Sequence, residues 1–329
     1  VSTRLRHRGM PLLILWVLLL VAGCAPGAAP PGQLGGRQSD AGTAPSMLGD
    51  LRTVDPCTLA DPAALQRFGP TENAGTVSLD YCLLHVKQNN GSLVQLAIGE
   101  LAAGDSDQQG DPVAQRGPLR VVQNAPLPGH CTRQIMFADN VAMQVSADLL
   151  VGDPAAGLCA IAQAGAEAAA SALEQHRVGH RRYPANSLAL VDPCTLLDSA
   201  AVRQIPGLEE AKPQSNPAGH RCMWGAQSAD SPRVQFMHTA GEPPKVLHGA
   251  AVEESIAGRR TVLSVVGGDP RVPLCSAETG HIPFGDPAAG QVEVAMLVVA
   301  VPGMTGTDAC EFARGLAGQA WPHLPGSGP

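Results

Sequence analysis

The pentapeptide Asp-Pro-Cys-Thr-Leu occurs twice, at 55–59 and at 192–196, and no other feature limits the fold as tightly. Each copy opens a series of four cysteines. Cys57, Cys82, Cys131 and Cys159 form the first, and Cys194, Cys222, Cys275 and Cys310 the second. The offset between matching cysteines grows along the chain from 137 to 140, 144 and 151 residues. One duplication with small loop insertions gives that progression; chance placement does not. Two copies are too few for a solenoid, so the chain reads as tandem domains. Its 329 residues suffice for two units, each with its own core.

Both units follow one local pattern. Asp55 and Asp192 suit an N-cap, with Pro56 and Pro193 at the first helical position, so each unit opens on a short helical run. Pro62 breaks or restarts the first run. Thr76 to Val86 and Leu93 to Leu101 read as strands around Asn89-Asn90-Gly91, a strong hairpin signal. Gly104 to Gly117 reads as a loop, followed by strands at Leu119 to Gln123, from His130 to Phe137, and across Asn140 to Leu150. In that last strand Val141, Met143, Val145 and Ala147 share one face. Cys159, Ala162, Ala166, Ala169 and Leu173 then recur at steps of three and four, a helical stripe. The second unit repeats the order, with strands at Val234 to Thr239, Thr261 to Val266 and Gln291 to Val301. Its closing stripe is Cys310, Ala313, Ala317, Ala320 and Leu324, capped at Thr307 or Asp308. The expected fold class is α+β: two tandem disulfide-stapled domains at 51–178 and 187–325, joined by a linker at 179–186. Each is an antiparallel sheet packed with N- and C-terminal helices.

The N-terminal stretch reads as an address. Arg4, Arg6 and Arg8 precede an apolar run from Pro11 to Ala22, too short for an ordinary membrane span. Val21-Ala22-Gly23-Cys24 then has the form of a bacterial lipobox, which makes 1–23 a lipoprotein signal peptide and Cys24 the residue that takes a diacylglycerol and, with it, palmitate-type acylation. Residues 24–50, rich in Ala, Pro and Gly, read as a disordered tether. Removing Arg4, Arg6 and Arg8 leaves 19 basic residues against 29 acidic ones, so attachment to the membrane rests on the acyl anchor. The implied location is the extracytoplasmic face of the cell membrane.

Export to an oxidising space and four cysteines per unit imply two disulfides per unit. Of the three connectivities open to each series, first-with-second and third-with-fourth closes the shorter loops and is the expected one. A metal site competes poorly, because no Cys-x-x-Cys occurs; His130 and His220, each beside a cysteine, are the residues that a mixed site would use. No nucleophile, zinc-protease or P-loop motif is present. No catalytic residue, metal or cofactor is therefore expected. His176-x-x-x-His180 reads as a solvated helix end, Arg181-Arg182 and Arg259-Arg260 as solvated surface, and Trp224 and Trp321 as core. Only three lysines and a negative net charge argue against nucleic acid as a partner.

Together these features resemble the actinobacterial lipoproteins of domain-of-unknown-function family 3558. The resemblance rests on the lipobox at 21–24, the tether, the Asp-Pro-Cys starts at 55 and 192, Cys222-x-Trp224, and the cysteine-bearing terminal helices around Cys159 and Cys310. It covers nearly all of the mature chain as two copies, whereas members usually carry one, and the first copy has Leu84 where the pattern prefers tryptophan. The resemblance supplies no catalytic residue, and a tethered pair of stapled α+β domains without catalytic groups reads as a non-enzymatic, lipid-anchored cell-envelope protein that engages an envelope protein, a cell-wall component or a small lipid-like, apolar ligand. A structural spacer and a secreted hydrolase with an unrecognised site are the alternatives. The family is also similar in outline to disulfide-bonded sensor domains of actinobacterial receptor kinases.

Overall fold

The computed structural model describes residues 41–74, 78–104, 110–153, 157–228, 230–246, 251–266 and 271–326. The signal segment, Cys24, most of the tether, and Thr76 and Val77 of the first expected strand lie outside the described residues. The fold is α+β, with two seven-stranded antiparallel sheets. The expected pairs Cys57–Cys82, Cys131–Cys159, Cys194–Cys222 and Cys275–Cys310 are all disulfides.

In the first half, α1 (Ala44–Leu48) and β1 (Val54–Asp55) precede a single turn at Pro56–Thr58, in which the Asp55 carboxylate accepts from the Cys57 amide. Asp61 caps α2 (Pro62–Leu65), the restart that Pro62 imposes. The sheet comprises β2 (Thr71–Asn73), β3 (Cys82–Lys87), β4 (Leu93–Ala103), β5 (Asp111–Arg116), β6 (Leu119–Gln123), β7 (His130–Met136) and β8 (Val141–Val151), in the order β2-β3-β4-β8-β7-β6-β5. The Asn-Gly turn joins β3 to β4, with Lys87 opposite Leu93. α3 (Leu158–Glu174) lies across β4, β7 and β8 and buries Ala162, Ala166, Ala169 and Leu173. Its small residues bring helix and sheet close together: a Cβ on Gly165 would sit 2.7 Å from Leu96 Cδ2.

β9 (Gly179–His180) opens the crossing to the second half. Asp192 there repeats the work of Asp55, accepting from the Cys194 amide at 2.8 Å, and Asp198 caps α4 (Ser199–Val202). The second sheet has the order β10-β11-β12-β16-β15-β14-β13, built from β10 (Gln214–Ser215), β11 (Arg221–Gly225), β12 (Arg233–Gly241), β13 (Ala251–Ile256), β14 (Arg259–Val266), β15 (Leu274–Pro283) and β16 (Val292–Ala300). α5 (Gly306–Ala320) covers β14, β15 and β16. Trp224 and Trp321 are buried, as expected, and their indole N–H groups donate to Ser199 Oγ and Thr261 Oγ1. Each half has a separate apolar core.

Several boundaries differ from the sequence reading. The tether does not extend to residue 50: Thr43 caps α1, whose Ala44 and Leu48 are fully buried against the first core, so folding starts near Gly42. The 104–117 loop contains β5, an edge strand whose Pro112 disguises it. The 179–186 linker is not free. Its β9 pairs with β1, and Arg181 donates to the Asp55 carboxylate at 2.9 Å. Arg181 is accordingly not solvated surface. The α5 cap is Thr305, in a reciprocal capping box with Asp308, rather than Thr307 or Asp308. β13 was not expected, because Glu253 and Glu254 interrupt any apolar pattern. Among the described residues no helix is long and apolar enough to cross a membrane.

Candidate functional site

The residues that sequence reasoning left without a role converge on the junction of the halves. Asp80 and His220 stand two positions before Cys82 and Cys222, so they are equivalents in the duplication. They meet: His220 Nδ1 donates to Asp80 Oδ1 at 2.7 Å, and its Nε2 lies 3.1 Å from the Ala189 carbonyl. Arg221 donates to Glu100 at 2.5 Å, and Arg52 donates to the Leu190 carbonyl.

The turn at 187–191 is gripped from several sides. His238 Nδ1 donates to the carbonyls of Leu188 and Val191 at 2.9 and 3.1 Å. Glu293 accepts from Ser187 Oγ and the Leu188 amide. Burial removes hydration from the charged forms of both side chains. It pushes His238 down to about 4, against which its carbonyl bonds act, and pushes Glu293 up, against the two hydrogen bonds that it accepts. Leu79, Ala189, Ala240, Phe284 and the half-buried Tyr183 form a small apolar cluster beside this network. The cavity here, between Leu48, Leu79, Met143 and Ala218, is only about 10 Å³, too small for a ligand.

A larger space opens at the rim of the junction. The last residues of β4, Ala102 and Ala103, with Gly104, face β10, β11 and the loop that follows across a groove of about 880 Å³. Arg221, Met223 and Gly225 alternate along β11 and line it, together with Asn216 and Gln227. Asn216 is fixed there: its Oδ1 accepts from the amides of His220 and Arg221.

A third constellation lies on the face of the first sheet away from α3. His130 pairs with Asp148, and Thr132 with Ser146, across β7 and β8. His130 Nδ1 donates to Asp148 Oδ1 at 2.6 Å, and Thr132 Oγ1 lies 2.7 Å from His130 Nε2. Ser146 donates to Asp148 Oδ2 at 3.2 Å.

The remaining sequence candidates resolve plainly. His130 and His220 stand beside oxidised cysteines, and among the described residues no group of three His, Cys, Asp or Glu side chains is arranged to hold a metal ion. His176 and His180 do not act together: His176 ends α3 in the left-handed region, whereas His180 lies 2.9 Å from Thr53 Oγ1. Arg259 and Arg260 each donate to a backbone carbonyl, of Pro325 and Pro244 respectively. A scan against protein-family models, a search of curated proteins and a search of solved structures each returned no match.

Proposed function

We propose that this chain is a lipid-anchored cell-envelope lipoprotein, of the kind that its resemblance to family 3558 implies, and of accessory, ligand-binding type. Cys24 carries the acyl anchor, and the tether sets the folded part off the extracytoplasmic face of the membrane. The partner is an envelope protein or a small apolar ligand.

The observation that carries this reading is the groove at the junction. Both halves contribute walls to it, and cross-repeat bonds from His220, Arg221 and Arg52 hold those walls in register. A concave surface on a rigid frame loses little entropy on binding. The groove also gives the duplication a purpose, since one copy alone would supply a single wall.

The test uses the full-length protein in its native membrane. A photocrosslinking residue replaces the exposed Gln227 in the groove or, as control, Val113 on the far edge strand. A discrete crosslinked species at 227 and not at 113, lost when Cys24→Ala releases the protein, supports the reading. Equal or absent crosslinking at both sites from correctly anchored protein refutes it and favours a structural spacer.

A further inference from the structure

We propose that Thr132, His130 and Asp148 form a hydroxyl–imidazole–carboxylate triad, and that Thr132 Oγ1 accepts acyl groups from activated apolar esters or thioesters. This capability is independent of the groove. No sequence motif announced it, because the three residues come together only through the β7–β8 register.

The geometry fits the roles. With Asp148 accepting at 2.6 Å, the imidazole carries its proton on Nδ1. Nε2 is then a lone pair, 2.7 Å from a hydroxyl that donates into it. Nucleophile, base and orienting acid stand in the order that activates a hydroxyl, and Ser146 fixes the acid in turn. His130 and Asp148 side chains are each 35 % exposed, and Thr132 is 8 % exposed, so a slim acyl group has access and a bulky one does not. Leu150 follows Asp148 on the same face of β8 and is 46 % exposed, while Leu127, bonded to His130 through the backbone, is 63 % exposed. Both offer apolar surface to an acyl chain.

The second repeat is an internal control. By the register from Cys275, Leu274 stands where the first repeat has His130, and Ala300 where it has Asp148. Ser276 replaces Thr132 and Val298 replaces Ser146, and Ser276 donates instead to Glu278. The same sheet therefore forms without the triad, so the fold does not require it.

In the reaction Thr132 Oγ1 bonds to the acyl carbon as its proton passes to His130 Nε2. The bond from that carbon to the leaving oxygen or sulfur breaks, and His130 returns the proton to the departing group. Water repeats the sequence to free the acid. β7 and β8 are interior strands whose amides face their neighbours, so these two strands offer the oxyanion no dedicated backbone donors. Such donors contribute about 10²–10³-fold in rate. Their lack slows acylation and deacylation alike, but an activated leaving group speeds only the first step, so with such a substrate the acyl-enzyme should accumulate.

The test is incubation of the folded full-length chain with p-nitrophenyl butyrate, followed by peptide mass spectrometry. The expected result is a burst of nitrophenolate and one butyryl group on Thr132, with Ser276 unmodified. Thr132→Val abolishes the label, whereas Thr132→Ser retains it. His130→Gln slows labelling by roughly 10²-fold or more, the usual range for loss of a general base. Asp148→Asn also slows it, and Asp148→Glu restores part of the rate, which a merely structural role would not do. Label on lysines alone, equal label on Ser276, or unchanged labelling of Thr132→Val that resists protease like the parent would overturn the proposal.

Discussion

Acidification should loosen this protein through one buried imidazole. His238 is 1 % exposed, gives its Nδ1 proton to two carbonyls of the turn at 187–191, and has no partner for Nε2 among the described residues. Charging the ring in place would bury an unpaired cation, so the fold keeps it neutral and holds its pKa at about 4, against the usual 6.5. The unfolded chain takes up this proton below pH 6.5 and the folded chain does not. The resulting stability is therefore fully present above pH 6.5 and is lost as pH falls toward 4. At roughly 1.4 kcal/mol per tenfold difference in proton affinity, the loss is about 3 kcal/mol. Glu293 opposes part of it, because its raised pKa makes the fold the better proton acceptor in the lower part of the same window.

The informative quantity is thus a difference between variants. His238→Asn keeps a donor near the Nδ1 position and cannot titrate. Urea unfolding of both proteins near pH 7 and near pH 4.5 should show the parent losing about 2.4 kcal/mol more than the variant over that interval, the remainder of the effect lying below pH 4.5. Parallel pH dependence in the two would refute the argument. It would mean that the ring is protonated in the fold, or that the 187–191 turn opens to hydrate it.

Three further outcomes are expected. Replacing Cys131 and Cys159 by serine opens a loop of 28 residues and should cost about 3–4 kcal/mol in the chain-entropy model, read as a lower urea midpoint under oxidising conditions. Asp80→Ala leaves the buried His220 Nδ1–H without its acceptor and should cost about 1–3 kcal/mol; limited proteolysis should then cut at 179–191, and undiminished resistance would count against the junction as described. Arg133 is 5 % exposed under α3 and reaches Gln163 and the Cys131 sulfur, with no carboxylate partner among the described residues. Arg133→Met should be neutral or stabilising by up to about 2 kcal/mol, since the second repeat places Ala277 there, and a clear loss in thermal denaturation would show the charge to be needed.

Most of the architecture was legible because periodicity and cysteine position report the same face. The α3 stripe needs nothing beyond 3.6-residue spacing, and the Asn-Gly turn sets the β3–β4 register by itself. Edge strands gave no such signal. β5 and β13 bury little, so their sequences carry no alternation, and Pro112 or paired glutamates suit an edge. The triad was present in principle. Strands ending near Phe137 and starting near Asn140 form a hairpin, and its register sets His130 against Asp148 and Thr132 against Ser146. A one-residue slip would turn the second member of each pair to the opposite face, so spacing alone could not bring them together.

The duplication explains how one chain can hold these features together. An isologous contact sets a surface against its own copy, and only a position on its two-fold axis meets its own equivalent. Asp80 against His220 is such a contact between repeats, and it works only because the copies have diverged: two aspartates would repel across it, and two neutral imidazoles would lack a carboxylate acceptor. Divergence has gone the other way on the outer faces. There the second repeat is apolar at Leu274, Val298 and Ala300, and the first is polar at His130, Ser146 and Asp148. The two cores need neither set, since both sheets form with either. Changes at the junction are thus constrained in pairs across the repeats, while changes on the outer faces are free within one repeat, and it is in the second class that new chemistry can appear without loss of the fold.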